Sequence, residues 1–113
     1  MSAYAIGHLE QVRMGPEIVG YLQAIDATLA PFSGRFVVHG GRLEVMEGAL
    51  GGDVIVIEFP DIDHARRWYA SPAYRAILPL RTGNSRGTVF LVDGVAPDHQ
   101  ATDVLRASTS AGQ

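Results

Sequence analysis

The sequence predicts an α+β fold in the order β-α-β-β-α-β, and three observations carry that prediction. Apolar residues recur at helical spacing in two separate stretches, as Ile18, Leu22, Ile25 and Leu29 and again from Ile62 through Ala65 and Trp68 to Tyr69. Four short runs rich in β-branched and aromatic residues surround them, at 3–10, 35–39, 53–59 and 88–92. Proline, glycine, serine or aspartate stands at the joints, where it ends one element or caps the next. This order is the split βαβ arrangement of a ferredoxin-like sandwich. Its right-handed crossovers place the first and third strands side by side in the middle of the sheet, with the helices on one face.

Each element has its local reason. The run from Ala3 to Glu10 is too short for a stable isolated helix and precedes a Met14-Gly15-Pro16 turn, so it reads as the first strand. Pro16 suits the first position of a helix, and Glu17 suits its positive end. Pro31 and Ser33-Gly34 stop that helix. The second strand runs from Arg35 to His39 and is expected to continue from Arg42 to Glu47 after a bend at Gly40-Gly41. A turn at Gly48 to Gly52 leads into Asp53 to Phe59, whose Val54-Ile55-Val56-Ile57 run suits a central strand buried on both faces. Pro60 closes that strand, and Asp61 caps the next helix. Ser71-Pro72 then restarts a second short helix that turns Tyr74, Ile77 and Leu78 inward, and Thr88 to Val92 form the last strand. Residues 1–96 form one domain on this reading; residues 97–113, with little to bury beyond Val104 and Leu105, are expected to be a tail or short docking helix.

Composition narrows the function. The 113 residues include 12 acidic and 9 basic side chains, a net charge of −3, which argues against nucleic acid as a partner. There is no cysteine, and every basic residue is arginine, so thiolate chemistry and a lysine Schiff base are both excluded. No apolar run is long enough to span a bilayer and no basic-then-apolar leader opens the chain, so a cytoplasmic protein without a membrane partner is expected. Glycine-rich phosphate loops and nucleophile-elbow serines are likewise missing. Alternation along the strands then divides the sheet. Ala3, Ala5, Gly7, Leu9, Phe36, Val38, Ile55, Ile57, Phe59, Val89 and Leu91 share one parity and should meet the helices. The other parity, including Tyr4, Ile6, His8, Arg35, Val37, His39, Val54, Val56, Glu58, Phe90 and Val92, is too apolar to leave in water. A homodimer joined through that face would bury it and let the polar minority line a pocket for a small-molecule ligand.

Glu58 is the residue that asks most for a partner, because it ends a β-branched run on the second parity. With strands one and three taken as parallel, His8 falls at the same sheet end as Glu58, and counting back from Glu47 brings His39 beside them. Three readings stay open: a structural His8–Glu58 pair, an acid/base site in which a histidine moves a proton on a carbonyl substrate, and a metal-binding facial triad. Tyr4, Arg35 and Phe90 on the sheet, with Trp68, Tyr74 and Arg81 on the helical segment, are candidate substrate-binding residues. Arg81 would hold a substrate carboxylate or else form a salt bridge to Glu44 or Glu47. No resident metal or cofactor is expected.

Several stretches together resemble one family. They are Ala3-Tyr4-Ala5-Ile6-Gly7-His8, Gly34-Arg35-Phe36-Val37-Val38-His39-Gly40-Gly41, Val56-Ile57-Glu58-Phe59-Pro60, Ala65-Arg66, Trp68 to Tyr74 and Arg81. Over about residues 3–95 the chain resembles domain-of-unknown-function family 1330. The resemblance implies a ferredoxin-like fold assembled as a dimeric α+β barrel, and it implies no reaction. His39 stands where members more often carry arginine, and Thr82 to Gly87 departs from the usual alanine-rich link. Related barrel families include cofactor-free monooxygenases, haem-degrading enzymes, isomerases and cyclases, which is analogy at the level of fold. The reading is therefore a small-molecule-binding homodimer. If it is an enzyme, it would transfer protons in an isomerase, cyclase or dehydratase reaction, with His8 or His39 as base, Glu58 orienting or sharing the proton and Arg81 binding an anionic group. The alternatives are a non-catalytic metabolite-binding or structural dimer and a cofactor-free monooxygenase.

Overall fold

The computed structural model describes residues 1–110. Four strands, β1 (Ala3–Glu10), β2 (Arg35–His39), β3 (Asp53–Phe59) and β4 (Arg86–Asp93), form one sheet in the order β2-β3-β1-β4. Helices α1 (Pro16–Leu29), α2 (Ile62–Ala70) and α3 (Pro72–Thr82) complete the ferredoxin-like α+β sandwich, with the predicted strands in the middle of the sheet. A further helix, α4 (Asp103–Ser110), lies in the C-terminal stretch; the end of the predicted tail, residues 111–113, falls outside the described residues. No helix among the described residues is long and apolar enough to cross a membrane.

The helix signals read from sequence work as the chemistry requires. The Asp61 carboxylate accepts the backbone N–H of His64 at 2.9 Å and its ring Nδ1 at 2.7 Å, which caps α2. The ring bond, then the backbone bond, holds the Asp61 carboxyl below its ordinary value. Ser71 serves two helices: its hydroxyl donates to the Trp68 carbonyl at 2.7 Å and accepts from the Tyr74 N–H at 3.3 Å. The chain therefore stops and restarts at a new angle, which aims both Trp68 and Tyr74 at the sheet. Trp68 fills the centre of the core, its ring 4.2 Å from Tyr74 and 5.5 Å from Phe59, centroid to centroid. Its indole N–H donates to Thr28 at 3.0 Å, and Thr28 in turn donates to the Ile25 carbonyl at 2.7 Å. The buried polar atoms of this layer are thereby paired.

Three expectations need correction. β1 and β3 run antiparallel, with Tyr4 opposite Glu58 and His8 opposite Val54. The α1 crossover makes β1 and β2 run the same way, and the reversal after β2 then turns β3 against both. Second, a bulge sits within β2, where Phe36 pairs with Ile57 but Val38 pairs with Val56 and His39 with Ile55. One extra residue swaps the faces, so Val38 joins the outer side and His39 joins the helix side, stacked on Phe36 at 4.2 Å. Third, Arg42 to Glu47 forms no strand. Because β3 starts only at Asp53, that segment has no neighbour to pair with, and Leu43, Val45 and Met46 remain exposed.

Candidate functional site

Between the sheet and the helices lies a cavity of about 250 Å³, close to the lower end of the range for small-molecule pockets. Its floor is the helix-facing side of the sheet, including Ala5, Gly7, Ile55, Ile57 and Val89; α1 adds Ile18, Tyr21, Leu22 and Ile25, and Trp68, Tyr74 and Arg81 close it from α2 and α3. Gly7 leaves space there: a methyl group at that position would have Val89 Cγ2 at 3.7 Å and Ile55 Cβ at 4.0 Å as its nearest neighbours. Met14, Leu22, His39, Gly40 and Asp53 are the exposed lining residues and mark the opening. It faces the end of the sheet where β1 and β2 finish and β3 and β4 begin.

One polar cluster interrupts this apolar wall. The Tyr21 and Tyr74 hydroxyls share a hydrogen bond of 2.7 Å, and the Arg81 guanidinium lies 6.0 Å from the Tyr21 ring centroid. All three side chains are buried, Arg81 to 9% exposure. Burial, reinforced by the Tyr74 oxygen beside it, pushes the Tyr21 phenol far above its ordinary value, so it is neutral at any physiological pH. Burial also works against the charge of Arg81, but the Tyr74 and Tyr21 oxygens more than offset it and leave the guanidinium protonated. Among the described residues no carboxylate forms an ion pair with Arg81, so of its two readings the bridge to Glu44 or Glu47 is not made. Ser85 steadies the end of α3 by donating to the Arg81 carbonyl at 2.9 Å.

The sequence candidates divide between the two faces of the sheet. His39, Trp68, Tyr74 and Arg81 line the cavity. Tyr4, His8, Arg35, Glu58 and Phe90 lie outside its wall. The expected His8–His39–Glu58 cluster does not form. Glu58 pairs with Arg35, Nη2 to Oε1 at 2.6 Å, at one end of the sheet, whereas His8 stands four residues along β1 from Glu58's neighbour Tyr4, roughly 13 Å away. His8 uses Nε2 to bond the Gly51 carbonyl at 2.6 Å, and His39 is on the opposite face. No group of three or more His, Asp or Glu side chains among the described residues is arranged to hold a metal ion, so the facial-triad reading loses its geometry. Tyr21 and Asp53 are site residues absent from the sequence candidates, and Tyr21 is the one that carried a signal. It falls three residues after Ile18 and four before Ile25, on the buried stripe, and that spacing was the available signal.

Residues 2–95 match the family described as Domain of unknown function (DUF1330). The chain belongs to the DUF1330 family. No curated protein matches it by sequence. Among solved structures, it is similar to the RPA0582 protein of unknown function from Rhodopseudomonas palustris, with 14% identity over 85% of this chain and 84% of that one and a TM-score of 0.64. A dimeric ferredoxin-like protein of unknown function from Jannaschia sp. CCS1 gives 12% identity, 85% and 100% coverage, and a TM-score of 0.61. SnoaB, a cofactor-independent oxygenase from Streptomyces nogalater, gives 19% identity, 88% and 98% coverage, and a TM-score of 0.58. At these identities what this DUF1330 protein shares with them is the ferredoxin-like fold.

Proposed function

We propose that this DUF1330 protein is a homodimer, each protomer of which binds a small organic compound in the cavity between its sheet and its helices. The observation that carries the binding role is Arg81, a buried guanidinium with no carboxylate partner among the described residues, set in a mostly apolar wall. A group so costly to bury is worth keeping where it meets a ligand. Of the chemistry such a site can do, proton transfer fits best. Arg81 and the phenol pair are placed to stabilise an oxygen that gains negative charge, and His39 at the opening is the one histidine in the cavity wall among the described residues. A second reading, cofactor-free oxygenation, draws on the fold shared with SnoaB. Oxygen uptake during turnover would separate the two.

The binding role has a direct test, because Trp68 is the chain's single tryptophan and lines the cavity. Its fluorescence is expected to change on titration with 3-phenylpropanol, a neutral apolar probe. Gly7→Leu puts a larger side chain on the floor of the cavity, where a first carbon meets only Val89 and Ile55, and is expected to weaken that binding by about 100-fold. Unchanged binding in Gly7→Leu would place the probe elsewhere.

Support for the dimer comes from the outer side of the sheet and from the dimeric Jannaschia protein of the same fold. Val38, Val56, Ile6 and Phe90 stand in register across all four strands, with Val38 39% and Phe90 46% exposed in the single protomer. An apolar row of this width is a surface for a second copy. Val56→Glu puts a carboxylate in the middle of that row. Light scattering is expected to show a dimer for the wild type and a monomer for Val56→Glu, with the dissociation constant raised by about 100-fold or more. A wild type that is monomeric at micromolar concentration would remove the dimer.

A further inference from the structure

We infer that the cavity takes an apolar monocarboxylic acid, its carboxylate held by Arg81 and the Tyr21–Tyr74 pair. This rests on the reading that the cavity binds a small molecule, and adds the chemical class. The charge inventory comes first. Arg81 is the one arginine among the residues that line the cavity, it is 9% exposed, and its neighbours there are the side chains of two tyrosines, with no carboxylate paired to it among the described residues. A carboxylate supplies the missing counter-charge and matches the guanidinium fork with two parallel N–H···O bonds. The hydrogen-bond inventory agrees. Two phenols carry two protons, and one closes the 2.7 Å bond between them, which leaves the other free to donate to a ligand oxygen.

The rest of the wall sets the body of the ligand. Ile18, Leu22, Ile25 and Ile57 offer no polar side-chain atom, so the part of the compound that packs between the sheet and α1 is apolar, with His39 and Asp53 met only at the opening. Asp53 at the opening carries negative charge, and a second carboxylate reaching that far would be repelled. The protein's net charge of −3 works against any general attraction for anions, so a preference for acids has to come from this local site.

Isothermal titration of the full chain at low ionic strength with 3-phenylpropionate, 3-phenylpropionamide, 3-phenylpropanol and phenylsuccinate tests the assignment. The monoacid is expected to bind at least about tenfold more tightly than the amide or alcohol, and about tenfold more tightly than the diacid. In Arg81→Met the acid should fall to the affinity of the amide, while the amide changes by less than about threefold. Equal binding of acid, amide and alcohol by the wild type, abolished by Gly7→Leu, would overturn the carboxylate class and leave the cavity reading standing. Binding of none of the four would overturn both. Should Arg81→Met fail to fold, the wild-type comparison of acid with amide still decides, since it needs no variant.

Discussion

Replacing Trp68 by alanine is expected to lower the free energy of unfolding by about 3–5 kcal/mol, the largest loss for any single core truncation in this chain. The side chain is 2% exposed and touches the rings of Phe59, Tyr69 and Tyr74. Its removal would leave a void where α2, α3 and β3 meet. The indole N–H also satisfies Thr28, which keeps its own bond to Ile25 but loses a donor. Urea denaturation should therefore show a shifted midpoint with an unchanged slope, and the melting temperature should fall by roughly 10–20 °C. Trp68→Phe separates the two contributions. It retains most of the packing and gives up the N–H, so its cost is expected near 1–2 kcal/mol. A loss below about 1 kcal/mol for Trp68→Ala would mean that this ring is not the centre of the core.

The same residue shows why some parts of the molecule could be read from sequence and others could not. Helix starts depend on two or three adjacent residues, and Pro16, Asp61 and Ser71-Pro72 announce them without reference to the rest of the chain. The strand order followed from connectivity. The faces of the strands did not, because Phe36, Val37 and Val38 are all apolar and nothing local marks the bulge that turns His39 toward the helices. The sense of β3 relative to β1 decided the site. Once they run antiparallel, Glu58 and His8 stand at opposite ends, and each already has a partner, in Arg35 and the Gly51 carbonyl. Tyr21 escaped notice for a different reason. A tyrosine on a buried helical stripe reads as core, and only tertiary packing brings its hydroxyl to that of Tyr74, 53 residues away. Tyr74 and Arg81 are legible because the restarted helix carries both, and Trp68 because it lies on the inner stripe of the helix before it; the three stand together in the cavity wall.

Gly87→Ala is expected to cost about 3 kcal/mol or more, through the backbone rather than the core. Gly87 lies in β4 opposite Leu9 with φ at +152°, a conformation that side-chain-bearing residues rarely adopt. A Cβ there would overlap the His8 carbonyl oxygen and stand 2.9 Å from Leu9 Cα, so it collides with the main chain of a central strand. No rotamer change relieves such a contact. β4 would have to separate from β1 near the opening of the cavity, where Ser85 and Val89 help to line it. The expected readings are a melting temperature lower by roughly 10 °C or more and faster hydrogen exchange along Thr88 to Phe90, with protection kept toward Asp93. Gly7→Ala is the matched control. It lies on the neighbouring strand, and its added methyl meets only side-chain atoms at 3.7 Å or beyond. That change should be neutral or stabilising by about 0.5–1 kcal/mol. If both substitutions behaved alike, the close approach of β4 to the His8 carbonyl would be wrong. If they diverge as stated, the edge of the sheet that borders the cavity is fixed by a main-chain contact only glycine permits.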